Sequence, residues 1–213
     1  MQNLNANNAY IFRITHRDNL AWILDHGIAS RSTGQLDPNH VDIGDPELIA
    51  KRNPWPIPVE PGGVLSDYVP FYFTPRSPML LNIKTGYRGV RKVPNEEIVI
   101  LVSDLHRISN LGLSFLFTDR HAYIKTAQFY SDLARLDVID WDILRRSDFE
   151  RDNNDLGKGE RYQAEALVHN HVPLAALRGI ACCNAEEVAK VNAQTEAAGI
   201  ALAAAARPGW YFQ

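Results

Sequence analysis

Glu165 opens the segment AEALVHNHV at 164–172, directly after a polar, glycine-containing stretch from Ser147 to Arg161. A carboxylate displayed by a rigid strand beside a loop is well placed to stabilise a developing positive charge or to take a proton. Most strand-edge carboxylates are only solvated, so the placement opens a question and does not answer it. His16 stands where a strand should give way to a helix. Its ring could there reach an anionic group such as a pyrophosphate lodged against the helix N-terminus, or simply bond to backbone. Arg52 and Arg76 each offer a planar fork of donors that suits a phosphate, and each could equally pair with a surface acid. His169 and His171 flank Asn170, and strand alternation would put both rings on one face. Two ligands without a further Cys or carboxylate at ligand spacing make no metal site. The chain has no Walker lysine loop, no GxGxxG and no GxSxG, so nothing points to the common dinucleotide fold or to a nucleophile elbow.

These groups need a scaffold, and hydrophobic periodicity supplies its outline. YIFRIT at 10–15 reads as a strand, and RDNLAWILDH at 17–26 as a short amphipathic helix capped by Gly27. From 28 to 64 the chain is aperiodic and rich in Gly and Pro, although DPELIAKR could make a helical turn or two. A connection of that length inside a compact domain is usually functional or disordered. YVPFYFT at 68–74 is strand-like and is ended by the two prolines of PRSPM. IVILV at 98–102 reads as a strand buried on both faces, and LSFLF at 113–117 as another. Thr118 or Asp119 could cap a helix from about Ala122 to Leu136 with an imperfect apolar face. Further on, 164–172 alternates, GIACC at 179–183 reads as a short strand, 186–198 as a helix and 200–206 as a last strand. The mixture lacks the regular alternation of a doubly wound sheet, which makes the class α+β.

The chain's 213 residues, 46% hydrophobic and 22% charged, suffice for one well-packed core, and a single domain is expected. No apolar run reaches the roughly 18 residues a membrane helix needs, and the first residues lack the features of a signal peptide, so the expected location is the cytoplasm. The only two cysteines, Cys182 and Cys183, are adjacent and point to opposite faces of a strand, which rules out their pairing with each other and marks them as small core residues. A net charge of −3 speaks against indiscriminate coating of nucleic acid, so any contact with DNA must be local. Lys84, Arg88, Arg91 and Lys92 lie in an acid-free segment that could provide one. Arg145, Arg146, Arg151, Lys158 and Arg161 alternate with acids and could equally form a solvated face.

Five pieces, in this order, resemble the DarT family of DNA ADP-ribosyltransferases. They are FRITHRDNLAWILDHGI at 12–28, DYVPFYFTPRSPML at 67–80, FTDRHAYIKTAQFYSDLARLDVIDWDIL at 117–144, RYQAEALVHNHVP at 161–173 and RPGWYF at 207–212. The resemblance implies an ADP-ribosyltransferase fold, a split β-core of two small sheets with peripheral helices and NAD+ as co-substrate in the cleft. It implies transfer of ADP-ribose to a base of single-stranded DNA, most commonly thymine, with no metal. It also implies the role of a toxin, acting as a monomer, whose mark a macrodomain antitoxin (DarG-like) removes. By position, Glu165 matches the catalytic glutamate, and Arg52, with Lys51 as its alternative, matches a catalytic arginine. His16 matches a nicotinamide-side histidine, although Phe12 and Arg13 depart from the usual Tyr-His ahead of it. On this resemblance NAD+ would lie along His16, Asn19, Leu20, Arg52, Tyr68 and Phe71. DNA would meet Arg76, Ser77, Tyr123, Arg145, Arg146, Lys158 and Arg161. Aromatic rings such as Tyr68, Tyr72 and Tyr123 could stack on nicotinamide or on unpaired bases, whereas Phe71 reads better as core. Guanine, RNA or protein are the rival acceptors on the same fold, and a metal-dependent HNH-type nuclease is the remote alternative that EDTA would expose.

Overall fold

The computed structural model describes residues 1–213. Along the chain, β1 (Tyr10–His16) leads through a 3-10 turn into α1 (Leu20–His26), and β2 (Ile28–Ala29) opens the long segment that holds α2 (Pro46–Arg52). Then come β3 (Tyr68–Tyr72), α3 (Pro78–Thr85), β4 (Ile98–Asp104), α4 (Leu105–Asn110), β5 (Phe115–Thr118) and β6 (Phe129–Tyr130). The rest comprises α5 (Trp141–Arg146), α6 (Lys158–Arg161), β7 (Glu165–His169), β8 (His171–Val172), β9 (Gly179–Cys182), α7 (Ala185–Ala197) and β10 (Ala204–Ala206).

Eight strands are hydrogen-bonded in the order β10-β9-β4-β1-β3-β7-β5-β6, and β2 pairs with β8 apart from them. β1 lies antiparallel to β4 along its whole length, from Tyr10 opposite Asp104 to His16 opposite Ile98. Against β3 it keeps one register pair, Phe12 opposite Tyr72. Beyond that pair the two halves diverge, which is the split of the β-core in this α+β fold. Tyr72 in turn stands opposite Glu165. The carboxylate therefore lies on the transverse row where the sheet parts.

The apolar run of β4 is buried from Ile98 to Leu101, as a strand covered on both faces requires. It joins a core of 43 buried residues that takes in α1, α3, α4 and both cysteines. Gly27 makes the connection from α1 to β2 possible. Its φ is +73°, and a Cβ there would meet the Val172 carbonyl oxygen at 2.5 Å, so a side chain would force β2 off β8.

Several expectations need correction. The helix foreseen over 122–136 does not form. Residues 121–128 make turns, β6 follows, and a 3-10 helix occupies Leu133–Val138. Tertiary contacts outweigh the weak helical period: Tyr130 stacks on Phe117 at 5.5 Å as β6 pairs with β5. Asp119 spends its carboxylate on the Gln128 amide and on Arg120, so it caps nothing. The alternating run at 164–172 is likewise two strands. Asn170 takes φ +59° and turns the chain between β7 and β8. His169 then packs on Tyr68 and the His171 ring meets the His26 carbonyl, so the two imidazoles do not share a face. LSFLF yields a strand shifted to 115–118, the last strand contracts to 204–206, and α3 was not foreseen. In α3 the second proline of PRSPM marks a helix start: Ser77 accepts the Leu80 amide and Pro78 sits in the first turn.

Candidate active site

A cleft opens between β1, β3 and the segment carrying α2, lined among others by Arg13, Thr15, Tyr72, His121 and Glu165. Glu165 is 2% exposed. Its amide donates to Thr118 Oγ1 at 3.1 Å, which fixes the start of β7 beside β5. Its carboxylate is gripped by the Arg52 fork: Nη1 donates to Oε1 at 2.8 Å and Nη2 to Oε2 at 2.6 Å. The Ala122 amide donates to Oε1 at 3.0 Å. Burial pushes this carboxyl up, but the facing Arg52 guanidinium, aided by His121 and the Ala122 amide, holds it net below the usual glutamate range. Burial works against the Arg52 charge too, and the Glu165 pairing outweighs it and raises the arginine. Glu165 is thus an ionised carboxylate at neutral pH, inside protein, with one face on a cleft.

Arg52 reaches it from the last turn of α2. That helix is capped by Asp45, whose carboxylate accepts the Glu47 and Leu48 amides, and Pro46 supplies a preset φ at its first position. The seven-residue helix buries none of its own side chains. A helix so short is unstable alone, so the cap at one end and the ion pair at the other hold it over the cleft. Lys51, the alternative to Arg52, points to solvent and pairs with Glu47.

Three further groups complete the surroundings. His121 stands 3.4 Å from Arg52 Nη1 and 3.9 Å from Glu165 Oε1, and burial lowers its pKa against the opposing pull of Glu165. Burial pushes the Tyr72 hydroxyl up to about 12, with Glu165 adding to the effect. Arg13 donates to the Pro70 carbonyl, and burial, reinforced by Arg31, lowers its pKa to about 10. It is a cation on the cleft wall at any physiological pH.

A family model described as DarT, ssDNA thymidine ADP-ribosyltransferase, matches residues 12–212. The chain belongs to the DarT family. A DNA ADP-ribosyl transferase of Escherichia coli O127:H6 is 48% identical over 209 residues, 98% of this chain and 96% of its own. Among solved structures, Thermus sp. 2.9 DarT in complex with ADP-ribosylated ssDNA superposes with a TM-score of 0.87 at 33% identity, covering 97% of each chain. The same enzyme in complex with NAD+ gives a TM-score of 0.82 at 34% identity, covering 96% of this chain and 98% of that one. DarT membership makes the chain an NAD-dependent DNA ADP-ribosyltransferase with NAD+ as its substrate.

Within this DarT frame the structure brings Glu165, Arg52 and Tyr68 to the cleft and leaves other expected residues away from it. His16 does not line the cleft. It is 4% exposed, its Nε2 meets Glu97 at 3.1 Å and its Nδ1 accepts the Asp18 amide, so it joins β1 to the following turn. Asn19 acts at one remove: it bonds the Thr15 hydroxyl and both backbone groups of Val41, pinning one lip of the cleft. Leu20 is fully buried core, and Phe71, also buried, borders the cleft from beneath.

The proposed DNA contacts fare unevenly. Ser77 is buried as the cap of α3, and Lys158 is 8% exposed and held by Asp148 at 2.7 Å, so neither presents a free donor to a phosphate. Arg161 is shared between Asp140 and Asp155, Arg145 pairs with Asp142, and Arg146 lies 3.7 Å from Asp148. Arg76 lies over the Phe212 ring at 4.4 Å. Tyr123 is half-buried, two residues from His121, whose Nδ1 accepts its amide. Sequence reasoning missed His121, the Ala122 amide and Arg13 as site groups; of these only Arg13, as a charge inside an apolar strand, carried a signal that could have been followed.

No helix is long and apolar enough to cross a membrane. No group of three or more His, Cys, Asp or Glu side chains converges as a metal site would need.

Proposed function

We propose that this chain transfers ADP-ribose from NAD+ to a thymine of single-stranded DNA, with Glu165 stabilising the ribosyl cation, and that it serves as the toxin of a toxin–antitoxin pair. The observation that carries the reading is the buried, ionised carboxylate of Glu165 facing a cleft and fixed by three donors. An ionised carboxylate offers about four acceptor positions. Three are filled by Arg52 and the Ala122 amide, and the one remaining on Oε2 is free for the ribose 2′-hydroxyl. When the C1′–nicotinamide bond breaks, its electron pair leaves with nicotinamide and positive charge develops on the ribose. A negative charge preorganised beside that carbon favours the transition state over the ground state.

The low pKa makes Glu165 better at holding that cation than at taking a proton. The thymine N3–H, already a weak acid, becomes far more acidic as N3 bonds to C1′, and Glu165 accepts the proton at that late stage. Arg52 keeps the carboxylate in place and, as a cation near the acceptor, favours the base that has lost its proton.

Incubating the protein with NAD+ and a defined single-stranded oligonucleotide, then locating any added ADP-ribose by mass spectrometry, tests the acceptor. Label on thymine, undiminished by EDTA, is expected. Label on guanine, or only on RNA or protein pools run in parallel, would move the acceptor elsewhere. The toxin role predicts growth arrest on expression that a co-expressed macrodomain hydrolase relieves.

A further inference from the structure

Between Asp67 and Glu96 the chain carries no acidic residue. The cations of that interval gather towards its end, with Lys84 in the last turn of α3 and Arg88, Arg91 and Lys92 in the turns that follow. Those three are exposed, and Lys84 is half-buried. None of the four enters an ion pair, whereas Arg145, Arg146, Lys158 and Arg161 are each held by an acid. On a chain of net charge −3 this is a local excess of positive charge that no side chain of the protein neutralises.

The segment is held in shape. Val90 and Val93 are buried in the main core, and the Lys92 stem lies over Gly86, where an added Cβ would meet its Cε at 2.8 Å. Arg88 takes φ +54°, a left-handed conformation that glycine adopts with less strain. A long side chain kept at such a position points to a use for it. Its guanidinium stands 5.4 Å from the centre of the Tyr87 ring, and Tyr87, 57% exposed, is the one exposed aromatic residue of the chain. The patch also adjoins the cleft: Met79 and Ile83 of α3 line it, and Lys84 follows directly. Unpaired cations around an open ring suit a single strand of nucleic acid, which offers a phosphate at every nucleotide and a free base face between phosphates. An acidic protein surface would match the charge and leave the ring unused.

We propose that Lys84, Tyr87, Arg88, Arg91 and Lys92 form a second contact surface for single-stranded DNA, holding the strand outside the nucleotide that reacts. The inference rests on the transfer reaction proposed above and adds to it a surface that takes no part in the chemistry at Glu165. Affinity for strands long enough to reach the patch depends on these residues, and turnover of a strand that fills only the site does not.

The experiment measures binding of fluorescently labelled, thymine-containing single strands by anisotropy across a salt series, with one strand of about six nucleotides and one of about twenty. It compares wild type, Arg88→Gly and the triple variant Arg88→Gly/Arg91→Gln/Lys92→Gln, with thermal melts to confirm folding. Each cation that meets a phosphate contributes about 0.7 to the slope of log K against log salt, so the triple variant should lower the slope for the long strand by about 2. Its Kd for that strand should rise about tenfold or more at low salt, while the Kd for the short strand and the KM for NAD+ stay put. Arg88→Gly alone should lower the slope by about 0.7 without lowering Tm, a combination that a merely structural arginine would not give. An unchanged slope in the folded triple variant, or displacement of the long strand by polyglutamate as readily as by unlabelled DNA, overturns the surface and leaves the reaction intact. Patch-dependent binding with no transfer of ADP-ribose to either strand overturns the reaction and leaves the surface.

Discussion

Glu165→Gln separates the two roles of the buried pair. The substitution keeps the shape of the side chain and an acceptor for the Ala122 amide, but removes the charge facing Arg52. Arg52 is 15% exposed and would face a neutral amide with little water to compensate. Removing one member of a buried ion pair costs about 3–5 kcal/mol. The glutamine oxygen still accepts one guanidinium hydrogen, and Arg52 keeps some contact with water, which puts the loss near about 2–3 kcal/mol. For a chain of this size each kcal/mol shifts Tm by about 2–4 °C, so Tm should fall by about 4–12 °C. Adding Arg52→Met removes the stranded cation and should restore most of that stability, since apolar groups often replace a buried pair at no net cost. Transfer to an oligonucleotide should stay at least about a hundredfold down in both proteins, because the negative charge beside the ribose is missing from each. Thermal melts on the single and double variants, beside mass-spectrometric transfer rates, supply both readouts. A Glu165→Gln protein as stable as wild type, or a double variant less stable than the single one, would refute the account of the pair. Near-normal transfer by either would refute the account of the chemistry.

Two other outcomes follow from the same geometry. Glu165 has a folded-state pKa below its ordinary 4.5, so its contribution to stability is complete above that value and is lost as pH falls through the lowered one. The Tm gap between wild type and Glu165→Gln should accordingly hold from neutral pH down to about 4.5 and close below it; a gap that persists into strong acid would contradict the linkage. Asp45→Ala removes the cap of α2 and should cost about 1 kcal/mol of stability. It should slow transfer more than its small Tm change suggests, because Arg52 rides on that helix, and unaltered kcat/KM would show that the cap does not position it.

The parts of this molecule that could be read from sequence are those where local chemistry and global packing agree. β4 declares itself as an unbroken apolar run, α7 by its period, and α2 by Asp45-Pro46 ahead of a helical turn. Glu165 was legible because it stands at the point where a polar loop becomes a strand. Its companions were not. His121 and Ala122 belong to a segment whose weak helical period loses to the Phe117–Tyr130 stack, and an amide donor leaves no trace in residue type. His16 was misplaced for a related reason: strand alternation shows that a ring leaves one face, but not that Glu97, far along the chain, takes it.

The shallow anchorage of α2 also leaves the experimenter an opening. Its exposed positions Glu47, Ala50 and Lys51 carry no packing, so a cysteine placed at any of them could bear a dye directly above the cleft without disturbing what lies beneath. Such a label would watch occupancy from outside, turning the least buried helix of the protein into its natural point of instrumentation.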